Sequence, residues 1–177
     1  QAAEAYAAIA ASSPYYDKAR YKLAWSQFKN GGYEQAVDGF LTLLHDRLSG
    51  AGELSRGDEE LVNDFLRGAA LSLAQIKGVD TLADYYTRHG AQPYEYRLYD
   101  TLAQLYLEQQ RIEDAAGVYR RFVALHPNAP QAPSFDARVL TVYQQGGFTD
   151  LLQQAKVAFV NRYQPAAPYW RGNPGAE

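Results

Sequence analysis

Chemistry needs particular side chains at particular spacings, and in this chain of 177 residues the candidates are few. Histidines stand at 45, 89 and 126, and Asp58, Glu59 and Glu60 form an acidic run with Asp64 one helical turn on. Three histidines are enough to hold a zinc ion, and paired carboxylates move protons. Each histidine, however, falls near the end of a helical pattern, where an imidazole meets exposed carbonyls and the negative end of the helix dipole. The three belong to successive repeats, whose equivalent positions lie about 10 Å or more apart at ordinary helix-packing distances, so no shared metal site is predicted. The acidic run reads as a solvated helix start, favoured by the positive dipole end. No Gly-x-Ser-x-Gly elbow, phosphate-binding glycine loop or His-Glu-x-x-His helix occurs, and Gly50-Ala51-Gly52 is too short to mean a nucleotide site. The sequence therefore predicts no catalytic residue, no cofactor and no metal: a protein that is not an enzyme.

Composition narrows the remaining classes. Apolar residues make up 47% of the chain, enough for a sizeable core and too many for intrinsic disorder. A net charge of -3 without a Lys/Arg stripe argues against nucleic acid as the partner. No run of about 18 apolar residues exists, which excludes direct membrane insertion in this segment. Cysteine is absent, so there is no disulfide and no thiolate site. Methionine is absent too, even as initiator, and this points to a piece of a longer or processed chain. The 15 tyrosines point to surfaces that pack and also bind, because each offers a large apolar ring with a polar tip.

The elements that would carry such surfaces repeat. Ala2, Tyr6, Ile9 and Pro14 place a small residue, a large one four later, an apolar one three after that, and a proline. Ala36, Phe40 and Leu43 repeat the pattern 34 residues on, and Ala115, Tyr119, Phe122 and Pro127 repeat it again. Weaker copies centre on Ala83 and Leu151. A second helical stripe precedes each full copy: Tyr99, Leu102, Ala103 and Tyr106 fall at i, i+3, i+4 and i+7 before Gln109-Gln110-Arg111. Tyr21, Leu23, Ala24 and Phe28 do the same before Asn30-Gly31-Gly32. Glycines at these stops, with Gly78 and Gly146-Gly147, supply the positive φ a helix C-terminus needs. Two helices and a tight turn, repeated, make an all-α chain of helix hairpins.

Tyr99, Leu102-Ala103, Tyr106, Ala115, Tyr119 and Pro127 resemble the motif of the tetratricopeptide (TPR) repeat almost completely, and Tyr21 to Leu44 resembles it well. The resemblance implies an α-solenoid of stacked antiparallel hairpins wound as a right-handed superhelix, with a concave face lined by the first helix of each repeat. The predicted organisation is a lone second helix of a truncated repeat at 1–14 and a repeat at 15–44. A glycine-rich insertion follows at 45–60, then a degenerate repeat at 61–90 and a strong one at 94–127. A divergent repeat at 132–164 and a proline- and glycine-rich tail at 165–177 complete the chain.

Residues of the first helices that are out of phase with the packing stripe are predicted to face the groove. They are Lys18, Tyr21, Trp25, Phe28 and Lys29 in the first copy, Arg97, Asp100, Gln104 and Glu108 in the third, and Asp136, Leu140 and Tyr143 in the fourth. Trp25 is the leading anchor, since aromatic residues dominate binding hot spots. The family's carboxylate clamp uses basic and asparagine side chains on successive first helices. Here Lys18, Lys29 and Arg97 lack the asparagines, so the partner is predicted to be an extended peptide or a folded protein surface instead. Tyr21 to Trp25 and Gly31 to Ala36 also resemble repeats of bacterial cell-envelope TPR proteins, which implies assembly or secretion work in the periplasm or at the outer membrane. A glycan-binding helical repeat that stacks sugars on the groove aromatics is the alternative.

Overall fold

The computed structural model describes residue 6, residues 15–49 and residues 52–173, and all regular structure among them is helical. The helices fall into two compact units that divide after Leu102. The first unit holds α1 (Tyr16–Lys29), α2 (Tyr33–Leu48), α3 (Arg56–Leu73), α4 (Val79–His89) and the start of α5 (Glu95–Glu108). The second holds the rest of α5, then α6 (Ile112–Leu125), α7 (Ala132–Gln145), α8 (Thr149–Tyr163) and the short α9 (Pro168–Gly172). The stacked helix hairpins expected from the two alternating stripes are present.

Small residues set how closely the helices of the first unit approach. α2 buries Ala36, Val37, Phe40, Leu41, Leu43 and Leu44, the spacing of one helical face. On one side of it Gly39 meets Ala24 of α1, where an added Cβ would stand 3.1 Å from the alanine's own. On the other side the fully buried ring of Phe40 lies directly on α3 at Gly68, where an added Cβ would fall 2.5–2.8 Å from three ring atoms. Glycine at 68 is thus required by contact rather than by backbone conformation.

The three tightest hairpins close in the same way. At Gly31, Gln110 and Gly147 the backbone turns left-handed, with φ of 78°, 59° and 73°. The next N–H reaches back to the third residue from the helix end: Gly32 to Gln27, Arg111 to Tyr106 and Phe148 to Tyr143, at 2.8–3.0 Å. This is the Schellman stop, and it satisfies carbonyls that would otherwise have no partner. The strongest repeat therefore uses a non-glycine residue, Gln110, in the strained position.

Two expectations change. The insertion predicted at 45–60 is shorter, because α2 continues to Leu48 and α3 begins at Arg56 with Gly57 in its first turn. Ser55 starts α3 there: its Oγ accepts the Asp58 N–H at 3.2 Å and donates to the Asp58 carboxylate at 2.7 Å, so the acidic run is the helix start. The segment at 165–177 is not simply a tail. Pro168 opens α9, since proline is excluded from helix interiors but preset for a first turn. Tyr169 and Ala167 are buried, and the Trp170 indole N–H donates to the carbonyls of Tyr163 and Gln164, each at 3.2 Å. Asn173 Nδ2 donates to the Asn128 carbonyl at 3.1 Å; residues 174–177 lie outside the described ones. The helix expected at 1–14 also lies outside them, apart from Tyr6, whose ring sits under the Lys22 ammonium at 5.7 Å.

α8 buries none of its side chains fully, and Val157 and Val160 are 61% and 60% exposed. It is held to α7 by polar bonds as well as packing, since the Asp136 carboxylate accepts from Arg162 and, at 2.9 Å, from the Tyr163 hydroxyl. Burial first, and then Asp136, hold that hydroxyl above the ordinary phenol range.

Two substitutions test this account by thermal or urea midpoint. Gly68→Ala gains about 1 kcal/mol of helix propensity but overpacks the Phe40 ring at about 1–3 kcal/mol, so a net loss of about 1 kcal/mol is expected. Gln110→Gly relieves left-handed strain of about 1–2 kcal/mol against a backbone entropy cost of about 0.5–1, so stability should rise by about 0.5–1 kcal/mol.

Candidate functional site

The residues predicted for the groove are distributed by what their neighbours need. Tyr21, Trp25 and Phe28 line one side of α1 and join a continuous aromatic seam. Trp25 meets Phe40 at 5.1 Å, Phe28 at 5.6 Å and Tyr21 at 6.4 Å, each nearly edge to face. Tyr21 also reaches Phe65 of α3 at 5.6 Å, and Phe28 reaches Tyr33 of α2 at 5.5 Å. Such pairs contribute about 0.5–1.5 kcal/mol each beyond burial, so these half-buried rings hold α1, α2 and α3 together whatever else they touch. Lys18 and Lys29 are exposed.

The other predicted residues are already engaged. Arg97 donates to Glu59 at 2.8 Å and, more weakly, to Asn63 at 3.4 Å, so its charge is matched by α3. Gln104 donates to the Tyr119 hydroxyl at 3.1 Å. Asp100 is half-buried and also has an interaction partner; Glu108 is exposed, Leu140 is half-buried, and Asp136 is bound to α8. Tyr143 departs from the expectation: it is only 4% exposed, its ring packs on Phe148, and Arg120 donates to its hydroxyl at 3.4 Å. A face-counting argument could not foresee this, because Phe148 approaches from the turn after α7 rather than from a helix face.

What the first unit does leave open is a cavity of about 430 Å³ beside the start of α1, the end of α2 and the start of α3. Among the described residues, Asp17, Asp46, Glu53 and Asp58 line it against a single guanidinium, Arg47, with Leu43 and Phe65 as its apolar wall. Arg47 is bound to Asp58 at 2.9 Å, and Arg20 to Asp46 at 2.5 Å. Two of the four carboxylates are thereby paired, which leaves the cavity acidic. Asp58 belongs to the run noted in the sequence, whereas Asp17, Asp46 and Glu53 carry no spacing signal, being 29 and 7 residues apart.

His45 and His89 line one cavity, because Tyr94 folds back onto α2 with its hydroxyl 3.0 Å from His45 Nδ1. Still, no group of three or more metal-ligating side chains forms among the described residues. His126 packs on Phe122 at 5.0 Å in the second unit.

Helix hairpins closed by Schellman turns, with small residues at the α1–α2 and α2–α3 crossings, define a helical repeat protein. The tetratricopeptide repeat family model matches residues 18–46 and 100–129 of the chain. Two solved structures are similar to it. Both contain the TPR-like repeats of a Podosopora anserina protein described as kinesin light chain-like. The first is 17% identical over 92% of this chain and 83% of its own, and the second 16% identical over 92% and 84%; each has a TM-score of 0.40. No curated protein matches the chain.

Tyr94 provides a pH test of the region. Burial, and then the charges of Asp46 and Glu95 among others, push its hydroxyl up to about 12. A raised folded-state pKa gives stability that is complete below the unfolded value near 10 and is lost as pH climbs through about 12. Stability should therefore fall between pH 10 and 12, and Tyr94→Phe should flatten that fall while leaving the neutral-pH midpoint within about 1 kcal/mol of the parent. An unchanged alkaline limb in the variant refutes the assignment.

Proposed function

We propose that this chain is a protein-binding scaffold, part of a longer TPR protein, that takes a basic peptide or protein segment on the first-helix side of its N-terminal unit. The observation that carries the reading is the acidic cavity beside α1 and α3, open, rimmed by four carboxylates and backed by Leu43 and Phe65. A preformed wall of stacked hairpins binds at little ordering cost to itself, which is the physical advantage of a repeat scaffold. The aromatic residues first marked as anchors support the wall: truncating Tyr21 or Trp25 removes seam contacts, so such variants report stability before they report binding.

We further propose that the protein works in the bacterial periplasm or at the outer membrane, in envelope assembly or secretion. The resemblance of Tyr21 to Trp25 and of Gly31 to Ala36 to envelope repeats supports this, and fractionation of cells expressing the full-length gene product tests it. The glycan reading loses support, because three neighbouring rings already engage Trp25.

Panning a displayed random-peptide library on the chain is the direct test. Enriched peptides should carry Lys and Arg, and should lose binding at least tenfold to an Asp17→Lys/Glu53→Lys variant whose melting temperature is unchanged, the loss a rim-plus-cavity charge reversal produces. Neutral oligosaccharides should leave Trp25 fluorescence unaltered. Enrichment of peptides without basic residues, or binding indifferent to the two reversals, refutes the reading.

A further inference from the structure

The cavity shared by His45 and His89 is a separate feature, since α2, α4 and the 90–94 segment form it and none of the first-helix residues discussed above line it. Its volume is about 240 Å³, room for one long side chain and not for a folded element. Three tyrosines and two histidines supply ring surface. Tyr85 stacks on His89 at 4.1 Å and stands edge to face with Tyr86 at 5.5 Å. Acceptors stand on its wall, beside the Gln92 amide and the tyrosine hydroxyls, which can also donate. Asp38 brings a carboxylate. His89 Nδ1–H donates to the Tyr85 carbonyl at 2.9 Å. Thr42 gives its proton to the Asp38 carbonyl at 2.7 Å, and its side chain is also hydrogen-bonded to the Tyr85 hydroxyl.

Among the described residues, no lysine or arginine lines the cavity. The nearby cation is Arg88, whose Nε donates to the Asp84 carbonyl on its own helix. The field at the wall follows from these charges. Burial first, then Asp38 and more weakly Asp46, raise the Tyr85 hydroxyl above its ordinary range, outweighing the opposite pull of Thr42 and Arg88. Tyr94, on the far side, is raised by burial and then by negative neighbours, Asp46 and Glu95 among them. Neutral phenol rings in a negative field, with one carboxylate at the mouth, disfavour an anion. They suit a cation that carries its own alkyl stem.

We propose that this cavity binds the guanidinium or ammonium head of a basic side chain presented by a protein partner, held between the Tyr85 and Tyr94 walls and paired with Asp38. The chemistry of the head group stands on the cavity itself; only the source of the cation rests on the scaffold reading above. Arginine suits the site better than lysine, because a planar guanidinium stacks on a ring and forks to a carboxylate at once.

The test uses the whole chain and two probes of equal shape, Nα-acetyl-arginine amide and Nα-acetyl-citrulline amide, followed by the ring resonances of Tyr85 and Tyr94. Saturable shifts with the arginine probe are expected, with citrulline weaker by about tenfold, the ratio a partly desolvated cation–π pair supplies. Asp38→Asn, at an exposed position that leaves the fold intact, should weaken the arginine probe several-fold. Linking the arginine into a peptide selected on the chain should tighten binding further, and a peptide that binds no better than the free amide overturns the partner as source. Equal response to citrulline, shifts that never saturate, or indifference to Asp38→Asn overturns the site. A selected peptide that depends on Asp17 and Glu53 while the arginine probe leaves Tyr85 and Tyr94 unmoved discards this cavity and spares the scaffold.

Discussion

The ring of Phe40 on the backbone of Gly68 is the contact on which the N-terminal unit depends. A helix presenting any Cβ at position 68 would have to stand off, and the neighbouring layer would move with it. Because Phe40 also receives Trp25 at 5.1 Å and Tyr21 at 6.4 Å, the same ring fixes α1 against α2 from the other side. One buried aromatic thus registers three helices, and the small residues Ala24, Gly39 and Gly68 are the spaces into which that register is cut. Dense packing leaves no slack to absorb a change at such a point.

The second unit is fastened by a different balance. Tyr119, Phe122 and Phe135 make its aromatic centre, at 5.1 and 4.8 Å between rings. Gln104 and Arg138 both donate to the buried Tyr119 hydroxyl, so the polar tip is satisfied rather than stranded. Farther along, burial thins out. α8 relies on Asp136, which is only 12% exposed and accepts from both Arg162 and Tyr163. Truncating that carboxylate would leave two donors facing a half-dry site, which is why a single acid there matters more than an exposed ion pair such as Arg56 with Glu60.

Several arginines are consumed internally. Arg20, Arg47 and Arg97 each tie neighbouring helices through a carboxylate. Four carboxylates line the cavity beside α1 and α3, and one, Asp38, lines the smaller ring-lined cavity between α2 and α4.

Periodicity in the sequence determined the hairpins, their order, the glycine stops and the buried stripes of α2 and α6, because a helix repeats every 3.6 residues whatever surrounds it. The acidic run marked a helix start there, but α3 begins at Arg56, inside the insertion expected at 45–60, because Ser55 caps it. The tertiary structure alone decided which aromatic residues are free. Tyr143 and Trp25 both sit where a face count exposes them, yet Phe148 covers the one and Phe40 engages the other. It likewise decided that Tyr94 reaches His45 and that Asp17, Asp46, Glu53 and Asp58 share a cavity. These groupings join residues 5 to 49 positions apart through turns and segments, where side-chain volume and not helical phase settles the neighbours.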